Sequence, residues 1–247
     1  MQKKRLDTLL VEKKQADSIE SARALIGAGQ VLVNGQKADK VGTQFAVDCR
    51  VEVKEKQPFV SRGGVKLEAG LKYFGIDPRD MVCADIGCST GGFTDCLLQH
   101  GAKKVYSIDV GYGVLDWKLR QDDRVVVMER KNARYLTEED VPEKINLAVI
   151  DASFISLELL LGPVSRLFGK KVSILALIKP QFELERGKVA KGGVVKESVL
   201  HDEALEKVRL FSLSLGLQSV GVTTSPIKGA KGNQEFLMHF TGCVEDK

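Results

Sequence analysis

The sequence predicts an α/β protein: a large doubly wound domain on a mostly parallel seven-stranded sheet, preceded by a small α+β module. Three observations carry this. Five nearly continuous apolar, β-rich runs lie between residues 81 and 179 with helix-like patterns around them, and such runs mark strands buried on both faces of a parallel sheet. Residues 82–98, VCADIGCSTGGFTDCLL, pass from an apolar run through a glycine-rich turn into a second apolar run. A strand that restarts as a helix in this way holds nucleotide-like ligands. Ahead of them, two short amphipathic helices and an Asn-Gly hairpin fit within about 55 residues.

Composition bounds the possibilities. Of 247 residues, 43% are apolar and 28% charged, enough for one large domain or a standard domain with a small one. No apolar run approaches the ~20 residues that span a bilayer. MQKKRLDTLLVEKK leads into no uninterrupted apolar stretch, so no membrane segment or secretory signal is expected and the cytoplasm is the expected compartment. The five cysteines, Cys49, Cys83, Cys88, Cys96 and Cys243, form no CxxC pair. Buried thiols are expected, with neither a disulfide framework nor a metal site. Net charge is +4, and residues 1–57 carry 11 Lys/Arg against 8 Asp/Glu, which favours an anionic partner at the N-terminus.

In the small module, RLDTLLVEKKQ (5–15) places Leu6, Leu9, Leu10 and Val11 on one side of a helix. Asp17 and Ser18 can cap a second helix, SIESARALIGAG, with Ala22, Leu25 and Ile26 inward. QVLVNGQKA turns at Asn34-Gly35, and VEVKE (51–55) ends the module. KEKQPF (54–59) reads as the linker, giving domains at 1–57 and 58–247. Lys3, Lys4, Arg5, Lys13 and Arg23 are expected along the helical face, where a merely solvated polar face would look the same. The order R-L-D-x-x-L, then S-A-R-A-L-I-x-x-G-x-V-x-V-N-G, resembles the S4 RNA-binding domain. That resemblance implies a basic surface for structured RNA, read through shape and phosphates more than base edges.

In the large domain, MVCADIG (81–87), KVYSIDV (104–110), RVVVMER (124–130), INLAVID (145–151) and VSILALIK (172–179) are the expected buried strands. VKLEAGLKYFG, FTDCLLQHGA, SLELLLGPVSRLF and SVLHDEALEKVRLFSLSLG are the expected helices. SVGVTTS (219–225) and EFLMHF (235–240) complete the sheet, with an antiparallel edge expected there. ELERGKVAKGGVVKE (183–197) reads as one long irregular segment. In a doubly wound sheet the ligand belongs at the carboxyl ends of the strands.

Three ligands compete for the glycine-rich turn. A phosphate-cradling P-loop needs Lys-Ser/Thr after its last glycine, and here Phe93-Thr94 follow Gly92. A dinucleotide site prefers G-x-G-x-x-G, and Cys88 and Ser89 occupy the positions of close pyrophosphate approach. S-adenosylmethionine carries no phosphate and fits better. Asp85 would manage its ammonium group directly or through water; Gly87, Ser89, Gly91, Gly92 and Phe93 would line its amino-acid end. Asp109, 24 residues on at the end of the next strand, would accept the ribose hydroxyls, one crossover away. Asn132, after the third strand, is placed near the adenine, although a turn role would suit it equally.

The next strands end in Asp151 and Lys179. A lysine followed by Pro180 at a sheet edge reads either as half of a structural ion pair with Asp151 or as a base for a hydroxyl nucleophile. The second role asks that its pKa of about 10.4 fall by about three, roughly 4 kcal/mol. The domain resembles the FtsJ-type ribose 2′-O-methyltransferases, which carry a Lys-Asp-Lys-Glu tetrad. The matching positions are Lys66 in SRGGVKLEAGL, Asp151, Lys179 and Glu235 in KGNQEFLMHF. An S4 module ahead of this Rossmann-like domain is similar to the TlyA (haemolysin A) family of ribosomal-RNA 2′-O-methyltransferases. The resemblance implies Lys179 as base or orienting group, Asp151 and Glu235 positioning it, and Lys66 completing the pocket. Asp151 would also border the methyl donor. The implied substrate is ribosomal RNA or a ribosomal subunit, at a cytidine. Arg62, Lys188 and Lys191, with Arg186 and Lys196 nearby, are further candidate phosphate contacts, in a segment that could equally be a mobile surface loop. His100, His201 and His239 are scattered and no catalytic histidine is expected. A monomer is the expected state. The rival functions are a non-catalytic ribosome-assembly factor and, from the family name, a membrane-lytic toxin.

Overall fold

The structure is a computed structural model that describes residues 2–53, 58–229 and 231–243. The chain divides into two compact units, Met1–Gln57 and Pro58–Lys247.

In the first unit, β1 (Lys3–Arg5) leads directly into α1 (Leu6–Glu12), and α2 spans Ile19–Gly27. Ser18 caps α2 by accepting a hydrogen bond from the Ser21 amide at 3.1 Å. β2 (Val31–Val33) and β3 (Gln36–Lys37) form the hairpin at Asn34-Gly35, both residues with positive φ, as a primed turn requires. β4 (Gln44–Ala46) pairs with β1, and β5 (Val51–Val53) with β2. Leu6, Leu9, Leu10, Ala22, Ile26, Val31 and Val51 are buried together. One expectation is corrected. Lys3, Lys4 and Arg5 lie on a strand, because their backbone pairs with residues 44–46, a partner that helical periodicity cannot register.

The expected linker also shifts. Residues 54–57 lie outside the described residues, but Phe59 is buried in the core of the second unit. Its ring leaves no room for a Cβ on Gly64.

The second unit opens with α3 (Gly63–Phe74). Then come β6 (Val82–Ile86), α4 (Gly92–Gln99), β7 (Lys104–Ile108), the short α5 (Trp117–Arg120), β8 (Val125–Met128) and β9 (Leu147–Ile150). α6 (Leu161–Ser165), β10 (Lys171–Ile178), α7 (Pro180–Glu183), α8 (Ser198–Ser214), β11 (Gln218–Thr224) and β12 (Phe236–Cys243) follow. The expected helix at SLELLLGPVSRLF is broken into a 3₁₀ turn and α6, with Pro163 inside the latter. The sheet order is β11-β12-β10-β9-β6-β7-β8. Strands β6 to β10 are parallel, while β12 runs antiparallel to both its neighbours. The antiparallel strand is therefore inserted between β10 and β11 rather than standing at the edge.

Alternation along the strands divides the core. Val82, Ala84 and Ile86 of β6, Ala148 and Ile150 of β9, and Ile174, Ala176 and Ile178 of β10 face one layer with α6 and α8 residues. Cys83, Leu147, Val149, Leu175 and Leu177 face the other, against α3 and α4. A period of two with both faces apolar is what a sheet sandwiched between helices demands. Phe240 of β12 is fully buried in the first layer. Replacing it, Phe240→Ala, should cost about 3–5 kcal/mol of unfolding free energy, read from urea denaturation.

Candidate active site

The carboxyl ends of β6, β7, β9 and β10 meet at one edge, and the antiparallel course of β12 brings its first residues there too. Among the described residues, adjoining hollows lie along this edge, and two of them hold the strand-end acids. A cleft of about 470 Å³ is lined by Lys66, Asp151, Lys179 and Glu235, with Phe93, Phe154 and Lys231 among its other walls. A hollow of about 280 Å³ has apolar walls, including Ile86, Ile108 and Ile155, beside Asp109 and Asn132. Gly87, Ser89, Asp151, Ser153 and Phe154 border both.

The four tetrad candidates form two ion pairs. Lys66 in α3 donates to Glu235 Oε2 at 2.6 Å, and the side chains are only 11% and 4% exposed. Lys179 Nζ lies 2.5 Å from Asp151 Oδ1, off the line an ideal hydrogen bond takes, and donates to Ser153 Oγ at 2.9 Å. Pairing is what permits these lysines to be withdrawn from water. Both halves of the Lys179 alternative are thus present: it is ion-paired, and it faces a cleft.

The turn after β6 is held from the side by Asp109. Its carboxylate accepts from the Ser89 amide at 2.8 Å and the Gly111 amide at 2.7 Å. Asn132 also has a local duty, accepting from the Arg134 amide at 3.1 Å, while lining the smaller hollow. Ser89 and Phe154 adopt left-handed backbone, φ 48° and 64°, a costly state for non-glycine residues that concentrates at functional sites.

Two expectations, for Asp85 and Gly91, are corrected. Asp85 lines neither hollow. Strand alternation turns it toward α4, where it is fully buried and accepts from the Thr94 amide at 2.9 Å and hydroxyl at 2.7 Å. Thr94 in turn meets Ser107 at 2.8 Å. Asp85 therefore braces the turn from beneath, and its Oδ1 has no protein partner. Gly91 also lines neither hollow: its φ is 93°, and a Cβ would meet Leu115 Cδ1 at 2.7 Å. Gly92 borders the cleft, and its small size also serves packing, since a Cβ would come within 2.9 Å of the Gly64 amide nitrogen in α3.

Arg62 is exposed at the cleft wall. Lys188 and Lys191 do not line the cleft, although their neighbours Val189 and Gly193 do, and Lys188 pairs with Glu203 at 2.6 Å. The segment is tied down: Asn233 accepts from the Val195 amide at 2.8 Å and donates to the Gly193 carbonyl at 2.7 Å. In the first unit, Arg5 and Arg23 both bind the buried Asp7 carboxylate, at 2.8 and 3.1 Å, which holds Asp7 well below the usual carboxylate range. Lys4 pairs with Glu12 at 2.6 Å. Sequence reasoning missed Ser153, Phe154, Gln181, Phe182 and Lys231. Ser153 and Phe154 follow Asp151 directly, so the strand-end rule that found Asp151 could have reached them.

An FtsJ-like methyltransferase family model matches residues 59–241, and an S4 domain model matches residues 4–48. YqxC, a provisionally named rRNA methyltransferase of Bacillus subtilis, is 47% identical over 96% of this chain and 85% of its own length. The 16S/23S rRNA (cytidine-2′-O)-methyltransferase TlyA of Mycobacterium tuberculosis is 42% identical over 95% of this chain and 88% of its own. A solved structure of a provisionally named hemolysin from Streptococcus thermophilus superposes with a TM-score of 0.75 at 43% identity, covering 98% of this chain and 89% of the other.

Burial, reinforced by Asp151 and Asp109, lifts the Asp85 carboxyl from 3.8 to about 7. Between about pH 4 and 7 the folded chain then holds a proton that the unfolded chain releases, so this group's contribution to stability falls as pH rises. The Tm of the donor-free protein should decline across that window, and Asp85→Asn should flatten the decline in calorimetry; parallel profiles would refute the assignment.

Proposed function

The chain belongs to the TlyA (haemolysin A) family of FtsJ-like methyltransferases, which use S-adenosylmethionine, and we propose that it methylates the ribose 2′-hydroxyl of a cytidine in ribosomal RNA. One observation carries this reading. Lys66, Asp151, Lys179 and Glu235, spread over 169 residues of sequence, line a single cleft next to the glycine turn. A non-catalytic assembly factor would have no use for that meeting.

The residues present fit the methyl donor. The smaller hollow offers apolar walls for a planar base, with Asn132 at its edge and Asp109 for ribose hydroxyls. The Gly87–Ser89 turn would receive the amino-acid end. When bound, the donor supplies an electrophilic methyl group. In the adjoining cleft, Lys179, paired with Asp151, orients the acceptor hydroxyl, and it takes up that hydroxyl's proton only from its neutral amine form, which the pairing disfavours. Asp151 and Ser153 fix the amine from two sides. Lys66, locked to Glu235, closes the opposite wall. Holding both reactants in one geometry supplies much of the rate. Phe154, 90% exposed on a strained turn at the cleft, offers a stacking face for the acceptor base. Arg62 and Lys231 offer phosphate contacts. Residues 1–57 would dock structured RNA through Lys3, Lys4, Arg5, Lys13 and Arg23, leaving the chemistry to residues 58–247. As for the lytic reading, no helix among the described residues is long and apolar enough to cross a membrane.

With tritiated donor and ribosomal subunits, Lys179→Ala should lower methyl incorporation by about 10²–10⁴-fold while donor affinity persists. Failure of the wild type to label any ribosomal RNA, with donor bound, would leave the assembly-factor reading standing. Deleting residues 1–57 should weaken RNA binding by about tenfold or more and spare donor affinity. Equal RNA affinity in a gel-shift titration would refute this division of labour.

A further inference from the structure

We propose that Glu183 is a positioning residue for the acceptor cleft, fastening the loop that leaves β10 to the loop that leaves β9. The proposal rests on the reading of that cleft as the RNA acceptor site.

Glu183 ends α7, is 3% exposed and lines no hollow. Both carboxylate oxygens are spent on the other loop: Oε2 accepts from the Ser156 hydroxyl at 2.6 Å, and Oε1 from the Leu157 amide at 3.0 Å. Lys207 of α8 closes the clamp from outside, donating to the Glu183 carbonyl at 2.8 Å and pairing with Glu158 at 3.2 Å. The two loops carry what lines the cleft. One bears Lys179, Gln181 and Phe182; the other bears Asp151, Ser153 and Phe154. Across the gap, Phe154 and Phe182 stand 5.1 Å apart, centroid to centroid.

A carboxylate is an expensive way to fill a core position, since burial disfavours its charge. Burial does raise the pKa of Glu183. An apolar side chain of the same volume would pack as well but could not hold the Ser156 hydroxyl and the Leu157 amide. The geometry to be defended is that of Phe154. A left-handed turn at a bulky residue persists only where its surroundings over-determine it. Glu183 grips the chain at Ser156 and Leu157, two and three residues beyond that turn. Released, residues 152–157 can relax, and the exposed ring leaves its place at the cleft.

The test uses the full-length protein with Glu183→Ala, Glu183→Gln and Ser156→Ala. Hydrogen–deuterium exchange without RNA should show faster exchange over residues 152–157 in all three, with β6 and α4 unchanged. Glu183→Ala should raise the KM for ribosomal subunits about tenfold, the loss expected from one to two buried hydrogen bonds, with a smaller loss of S-adenosylmethionine affinity, because Ser153, Phe154 and Ile155 also border the smaller hollow. Glu183→Gln, which can satisfy one donor, should recover part of the loss, and Ser156→Ala should show a smaller rise. Unchanged exchange at 152–157 overturns the clamp, whether or not the wild type transfers methyl groups. So does a KM for subunits unchanged in Glu183→Ala, or one that Glu183→Gln leaves as high as Glu183→Ala does. A wild type that labels no RNA defeats the acceptor reading separately, and exchange then still judges the clamp.

Discussion

A lysine ammonium cannot be withdrawn from water alone, and the ligand edge of this sheet is organised around two that are withdrawn. Lys66 and Lys179 are each met by a carboxylate within 2.6 Å. Removing one partner from such a pair costs about 3–5 kcal/mol because the other charge stays buried. That constraint ties together elements with no local reason to meet. Lys66 sits on the first helix of the second unit and Glu235 on the approach to its last strand. Lys179 and Asp151 end neighbouring parallel strands. Helix α3 and strand β12 are thus held to the edge of the sheet by charge as well as by Leu67, Leu71 and Leu237, which share a core layer.

Strand parity sorts the remaining groups at that edge. Asp85 occupies the same face as Cys83 and the α4 contacts, so it serves the interior. Asp109 and Asp151 lie beyond the last paired residues of their strands, where parity no longer binds, and they reach the hollows. The same logic separates the glycines. Gly87 borders both hollows, whereas the smallness of Gly91 and Gly92 answers to Leu115 and to α3.

Much of this was legible in the sequence because it is encoded locally. The five apolar runs announced a buried parallel sheet, and Asn34-Gly35 announced its hairpin. Lys179 was conspicuous as a charge closing an eight-residue strand. What was hidden depends on partners far along the chain. The strand at Lys3–Arg5 needs residues 44–46, and the insertion of β12 between β10 and β11 needs both neighbours. Glu183 reads as an ordinary surface glutamate until Ser156, 27 residues earlier, is placed beside it. The small residues of the glycine turn suggested ligand contact, but at Gly91 and Gly92 they report helix packing. The side of a turn on which space is short cannot be read from composition.

The insertion of β12 also separates the two hollows along the chain. The smaller hollow is bordered by residues between 86 and 160. The cleft lacks a wall until residue 235 arrives, since β12 runs opposite to its neighbours and delivers its beginning to the ligand edge. Residue 235 lies 75 residues beyond the last one bordering the smaller hollow, so a change near the start of β12 reaches the cleft and leaves the smaller hollow's own residues in place.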